Sequence, residues 1–331
     1  MRNYPPRRLL LPGLLLLLSA CTIEGAAADP VPTGAHLPTA SAAAPAEPTH
    51  TSTPHQAPPP TATATTAPPV PTSTLPAPLP DFPLQLPIHP PGRITIDPTY
   101  RFGTTQDGLR EPHHGVEFLN SQGTPIYAAG PGTVLFAGDD YDGGPYSPAN
   151  WFAFYGLFAV VEHDLPGYYE PVYTLYAHLF ELTVETGQTV NADTQIGLIG
   201  FTGAAIGSHL HFEVRYGGTS YADSQNPENW LAPREGHGTL SGSIRDADGL
   251  PLPVVQFALA SLDDPSITYY FTTYEEPGLA AGSPFGENFA FGDVPAGSYE
   301  LSFVLYSLER HTIEIRAGER TFLDLVVGSD G

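Results

Sequence analysis

The 331-residue sequence contains no lysine: its 12 basic residues are all arginine, set against 35 acidic ones, for a net charge of -23. Such a chain has no basic stripe to lay along a phosphate backbone, which excludes nucleic acid as a partner. It equally lacks the cationic cluster that electrostatic adhesion to anionic lipid requires. Cysteine is nearly absent. Cys21 is the only one, so no intramolecular disulfide can form. Long hydrophobic runs are missing too: the apolar stretch at 9–18 is too short to span a bilayer as a stable helix. No long amphipathic helix can be traced after residue 93.

What is present begins with that short apolar stretch. Arg2, Arg7 and Arg8 precede it and Leu18-Ser19-Ala20-Cys21 closes it, the pattern of an export signal. The closing string resembles a bacterial lipobox, in which the cysteine becomes the lipidated first residue after cleavage. The resemblance implies a signal segment at 1–21 with Cys21 as lipid attachment site. The membrane is then a partner through an N-terminal lipid anchor. The expected location is exported, on the outer face of the cytoplasmic membrane or in the cell envelope. Residues 22–92 are dominated by Pro, Ala and Thr and contain no Lys or Arg. Such a segment cannot bury enough apolar area to offset the entropy of ordering, and is expected to be a disordered tether. At about 3.1 Å per residue it could reach on the order of 200 Å, enough to hold a domain inside a thick wall.

From 93 to 233 the pattern changes to short β-branched and aromatic runs separated by Gly, Pro, Asn and Asp. Strands are expected at 116–118, 133–137, 157–163, 171–178, 195–199 and 209–216. Three strings in this region carry chemistry: His113-His114-Gly115-Val116-Glu117-Phe118, Leu175-Tyr176-Ala177-His178-Leu179, and Gly207-Ser208-His209-Leu210-His211-Phe212-Glu213. Alternate residues of a strand share a face. His209 and His211 therefore point one way and Leu210 and Phe212 the other. The same parity groups His113 with Glu117 and turns His114 away. Two histidines, a carboxylate and an open position suit catalytic zinc, which keeps three protein ligands and a water. His113, Glu117 and His211 read as the ligands. His178 and His209 then lie beside that water, placed to move protons or stabilise charge. His114 and His163 read as surface or packing residues, and His36, His50, His55 and His89 carry no assigned role.

At these residues the chain resembles the LytM/lysostaphin-type zinc metalloendopeptidases, whose pattern is His-x-x-x-Asp, a His in a Tyr-x-His-Leu string, then His-x-His. The third string is long and specific here, running from Gly200-Phe201-Thr202-Gly203 to Phe212-Glu213-Val214-Arg215. Val184-Glu185-Thr186-Gly187-Gln188-Thr189-Val190 and Pro125-Ile126-Tyr127-Ala128-Ala129-Gly130-Pro131-Gly132-Thr133-Val134 are also similar to the family. The resemblance covers about 93–233. It implies His113 and His211 as ligands and His178 and His209 as catalytic residues. It also implies a peptidoglycan substrate, cut at short Gly- or D-Ala-containing peptides. One position departs: the family's usual Asp is Glu117, a carboxylate that reaches one methylene further. Aromatics at 141–155 could wall a substrate groove or pack the loop onto the sheet.

Residues 237–331 show a second β pattern, with runs at 239–245, 254–259, 268–273, 298–306, 311–316 and 320–327 and a turn signal at Asp246-Ala247-Asp248-Gly249. Gly238-Thr239-Leu240-Ser241-Gly242-Ser243-Ile244 and Val294-Pro295-Ala296-Gly297-Ser298-Tyr299-Glu300-Leu301 resemble the carboxypeptidase-regulatory-like, transthyretin-type β-sandwich. A spacer or adhesion module that folds on its own is expected. The chain is thus read as all-β: an antiparallel metallopeptidase domain and a transthyretin/Ig-like sandwich behind a tether. The function expected is a zinc-dependent endopeptidase of peptidoglycan. The alternatives are a non-catalytic LytM-type regulator or wall-binding module, and a structural envelope lipoprotein.

Overall fold

The computed structural model describes residues 82–149, 151–276 and 278–328. The signal segment, Cys21 and the tether as far as residue 81 lie outside the described residues. The first ten strands are β1 (Val116–Leu119), β2 (Pro125–Tyr127), β3 (Gly132–Asp139), β4 (Leu157–His163), β5 (Val172–Ala177), β6 (Leu179–Leu182), β7 (Thr189–Val190), β8 (Gln195–Ile199), β9 (His209–Tyr216) and β10 (Ser224–Gln225). They form a large antiparallel sheet in the order β1-β9-β5-β4-β3-β7, with β10 also on β9, and a smaller sheet β2-β8-β6. Among the described residues the helical elements are two short 3₁₀ turns, Tyr221–Asp223 and Pro227–Asn229.

β5 and β9 are central, and nearly every residue in them is buried, as strands covered on both faces must be. On one face of β9, Leu210, Phe212 and Val214 enter the main core with Val116, Phe118 and Tyr176. The Phe212 ring meets Tyr176 edge-on at 5.3 Å. Ile126, Leu179, Ile196 and Ile199 of the smaller sheet fill the same core. The opposite face of β9 carries His209, His211, Glu213 and Arg215. So one strand presents apolar side chains to the core and polar ones to the other side.

The remaining strands are β11 (His237–Asp246), β12 (Gln256–Ser261), β13 (Thr268–Thr272), β14 (Phe289–Pro295), β15 (Gly297–Val304), β16 (Leu308–Ile315) and β17 (Arg320–Val327). Sheets β14-β11-β17 and β13-β12-β15-β16 enclose a second core that includes Leu240, Ile244, Phe257, Leu259, Phe289 and Leu301. The pairing is antiparallel except for β11 with β17. The described residues are all-β, as the patterning implied.

Two boundaries differ from the sequence reading. The tether was expected to run to residue 92, but Leu84 and Ile88 are buried in the main core. Leu84 bridges Leu231, and the Gln85 amide donates to the Ala129 carbonyl at 2.7 Å. These apolar residues lie among prolines, so composition averaged them away. A separately folding C-terminal module was also expected. Instead, Tyr274, Ala280 and Phe285 cross into the main core, where Phe285 packs on Trp230 at 5.2 Å. The described residues belong to one compact unit.

Candidate metal centre

Register brings the site together. In the β1–β9 pair Glu117 stands opposite His211, and in the β9–β5 pair Ala177 does. Three adjacent strands therefore line up Glu117, His211 and Ala177 in a row, with His178 next along the chain. His178 has φ +63° and links β5 of the large sheet to β6 of the small one. A non-glycine residue in that conformation is strained and persists only where its surroundings hold it. The His178 amide donates to the Tyr155 carbonyl at 3.0 Å.

All five predicted residues converge, and all are buried, at 5–7% exposure. His113 Nε2 lies 3.2 Å from His211 Nδ1. Glu117 Oε1 is 3.0 Å from the first nitrogen and 3.2 Å from the second. Glu117 Oε2 lies 2.7 Å from His209 Nε2. One carboxylate thus faces both the ligand pair and His209. The His178 ring centre is 4.9 Å from that of His209 and 5.6 Å from that of His211.

The far side of each imidazole is tied to an acceptor. His113 Nδ1 donates to the Tyr100 carbonyl at 2.8 Å and His178 Nδ1 to the Thr202 carbonyl at 2.9 Å. His209 Nδ1 donates to the Gly207 carbonyl at 3.0 Å and His211 Nε2 to Glu213 Oε1 at 3.0 Å. Hydrogens fixed outward leave lone pairs turned inward, the arrangement that orients metal-binding histidines. Two such nitrogens and a carboxylate oxygen about 3 Å apart repel one another unless a proton or a cation lies among them. The potential ligand atoms of His113, Glu117 and His211 all lie within 4.8 Å of one another. This donor set and spacing fit zinc with one position left open.

The electrostatics show the same demand for positive charge. Burial opposes the His211 cation, yet Glu117 and Glu213 outweigh it and raise its pKa to about 9. Burial alone would raise Glu117. The field of His211 and the imidazoles of His113, His209 and His211 set around it instead hold it well below the usual carboxylate range. Burial lowers His113. Burial, reinforced by His211, pushes His178 down to about 3.

Several residues of the site were not singled out from the sequence. Glu213 is fully buried and accepts from His211, from Arg215 Nε at 2.8 Å and from the Tyr155 hydroxyl. Strand parity groups Glu213 and Arg215 with His209 and His211, so this signal was available. Tyr155 was not locatable that way, since it arrives on a loop. That loop is anchored by buried Asp140, which accepts from Ser147 Oγ at 2.6 Å and from the amides of Phe154, Tyr155 and Gly156 at 2.8–3.0 Å. Gly156 and Gly203 lie back to back, and a Cβ on either would collide with the other's backbone. Of the loop aromatics, Tyr155 is buried, Phe154 packs against it and Tyr146 against the same cluster, while Tyr141, Trp151 and Phe152 are exposed. His114 is buried against Tyr221 and Ser224, and His163 against Thr174, so both are packing residues.

Residues 111–224, which contain all five site positions, match the sequence model of peptidase family M23. The chain carries an M23 peptidase domain. Over 130 residues the M23 region is 31% identical to peptidoglycan DD-endopeptidase ShyA of Vibrio cholerae, covering 37% of this chain and 26% of that protein. Over 131 residues it is 33% identical to the Escherichia coli uncharacterized lipoprotein YgeR, covering 40% of this chain and 43% of that one. A crystal structure of a zinc containing peptidase from Vibrio cholerae aligns at 27% identity and TM-score 0.33, covering 41% of this chain and 38% of that one. The chain spans less than half the length of the two curated relatives.

Proposed function

We propose that the protein is a zinc-dependent endopeptidase that cleaves peptide cross-links or stem peptides of bacterial peptidoglycan. The observation that carries this reading is the inward convergence of His113 Nε2, His211 Nδ1 and Glu117, with His178 and His209 alongside. His113, Glu117 and His211 would hold the zinc. When bound, zinc lowers the pKa of water toward neutrality and polarises the scissile carbonyl. His178 and His209 each spend Nδ1 on a backbone carbonyl, so Nε2 is the remaining ring nitrogen of each, and that of His209 faces Glu117 Oε2 at 2.7 Å. Each can orient the attacking water, take its proton or donate to the developing oxyanion. The buried Tyr155 ring covers one side of His211, and the exposed Tyr141, Trp151 and Phe152 of the same loop offer apolar surface to a peptide.

The substrate class rests on the sequence relatives named above. The lipobox-like string at Cys21 and the Pro/Ala/Thr-rich stretch agree with it, because a lipid-anchored, tethered enzyme works where that polymer lies. The test is digestion of purified peptidoglycan by the zinc-loaded protein, followed by mass spectrometry of the fragments. New peptide termini, absent with His209→Ala, are expected. Peptidoglycan left intact by zinc-loaded protein would replace this reading with that of a non-catalytic regulator or wall-binding module.

A further inference from the structure

His113 is the one proposed ligand that lies outside a strand. Its position depends on the preceding loop, residues 99–112. The His113 amide donates to the Thr104 carbonyl at 3.1 Å, and the Gly103 amide donates back to the His113 carbonyl at 2.8 Å. Its ring stacks on Tyr100 at 4.0 Å, and its Nδ1 is held by the Tyr100 carbonyl. Three hydrogen bonds and a ring contact thus fix the backbone and outer ring edge of His113 to the loop, while its Nε2 faces Glu117 and His211 of the sheet.

The loop is in turn held from far along the chain. The Glu275 amide donates to the Gly103 carbonyl at 2.8 Å. Glu275 Oε1 accepts from the Thr105 amide at 3.2 Å, and its Oε2 accepts from the Thr105 hydroxyl. Tyr274, 4% exposed, meets the buried Phe102 edge-on at 5.1 Å. The Tyr274 ring lies so close over Gly103 that a Cβ there would clash with it. Gly103 also has φ +77°, which disfavours any other residue. Arg101 of the same loop stacks over Phe291 of β14 at 4.0 Å. Tyr274 and Glu275 lie on the connection between β13 and β14 of the C-terminal sandwich, and Phe291 lies on β14 itself. Neither they nor loop residues 99–110 lie within the 111–224 matched by the M23 family.

We propose that the C-terminal sandwich completes the metal centre: Tyr274 and Glu275 clamp the loop that positions His113. The inference rests on the reading of His113 as a zinc ligand. Glu275 is a positioning residue, acting through Thr105 and Gly103, and touches neither metal nor substrate. A ligand held by a clamped loop is presented ready-made, whereas a loose loop must be ordered as the metal binds.

The test measures zinc affinity of the full-length protein by competition with a chromophoric chelator. Glu275→Ala should bind zinc about tenfold more weakly, the lower range seen when outer supports of a metal ligand are removed. Glu275→Gln keeps an oxygen acceptor toward Thr105 and should recover most of that loss. Thr105→Val removes the hydroxyl's bond to Glu275 Oε2, together with the one it accepts from the Gly108 amide, but keeps the Thr105 amide bond to Glu275, and should weaken zinc binding less than Glu275→Ala. Leu259→Ala, deep in the second core, should lower the melting temperature yet leave zinc affinity unchanged at temperatures where it is folded. Parent-like affinity in both Glu275→Ala and Thr105→Val would overturn the clamp and leave the metal reading standing. Equal weakening by Leu259→Ala would also overturn it, because general loosening would then account for the effect. A parent protein that binds no zinc would overturn the metal reading and the clamp together.

Discussion

Replacing Glu213 by glutamine isolates the support beneath His211. Oε1 of this fully buried carboxylate serves His211 Nε2 and the Tyr155 hydroxyl, while Oε2 serves Arg215 Nε and Nη2. Every neighbour is a donor, and the Arg215 and His211 charges overcome the cost of burial to hold Glu213 at about 2. Glutamine keeps the shape but supplies one acceptor oxygen. If that oxygen turns to Arg215, the amide NH₂ faces His211 Nε2. It would then force the ring proton to Nδ1, the atom that faces Glu117 and His113. If it turns to His211, the NH₂ faces the guanidinium, and Arg215, 1% exposed, is left as a buried unpaired charge. Breaking a buried pair from one side costs about 3–5 kcal/mol. At a few degrees per kcal/mol for a unit of this size, the melting temperature should fall by about 10 °C. Zinc affinity should fall about 10- to 100-fold, as for other outer partners of metal-binding histidines. Calorimetry and chelator competition read the two effects. A variant with parent-like melting temperature and zinc affinity would refute the claim that Glu213 sets the His211 tautomer.

Further expectations concern the inner residues and the rest of the chain. His211→Ala should lose zinc and activity together, and His209→Ala should keep most of the zinc while losing activity; equal metal loss in both would end that division of roles. Glu117→Asp should retain zinc and some turnover, since zinc accepts either carboxylate, whereas Glu117→Gln should lose much of both; parent-like zinc binding by the Gln variant would remove Glu117 from the ligand set. Burial lowers His163 to about 4, against about 6.5 when unfolded, so its contribution is fully present above pH 6.5 and is lost as pH falls toward 4. This amounts to on the order of 3 kcal/mol, and His163→Gln should flatten that part of a urea-denaturation pH profile; an unchanged acid slope would contradict it. Cys21→Ser should abolish metabolic labelling by a fatty-acid analogue, and an unlabelled, soluble parent protein would refute the lipid anchor.

Local pattern was enough to place β4, β8, β9 and β17, because each is a short apolar-rich or alternating run with clear ends. It was also enough to group His209 with His211, since strand parity is a local property; His113 lies outside β1 and meets Glu117 through the loop that holds it. β14 escaped notice: Gly292, Asp293 and Pro295 interrupt its pattern, and Asp293 has positive φ. β2 and β6 are too short to announce themselves. The support of the site was least legible. Tyr155 reaches Glu213 from 58 residues away, and Glu275 reaches Thr105 from 170. Contacts over such separations leave no periodic trace. The fusion of the sandwich with the peptidase core was hidden in the same way, since polar 232–236 reads as a linker while Tyr274 and Phe285 cross the boundary elsewhere.

The central claim is that His113, Glu117 and His211 hold a single zinc ion. Anomalous diffraction from crystals of the zinc-loaded protein, recorded on both sides of the zinc absorption edge, tests it most directly. The account predicts one strong peak bounded by His113 Nε2, His211 Nδ1 and the Glu117 carboxylate, and no such peak in His211→Ala. Zinc bound elsewhere, or no peak among these three side chains in fully loaded protein, would contradict it.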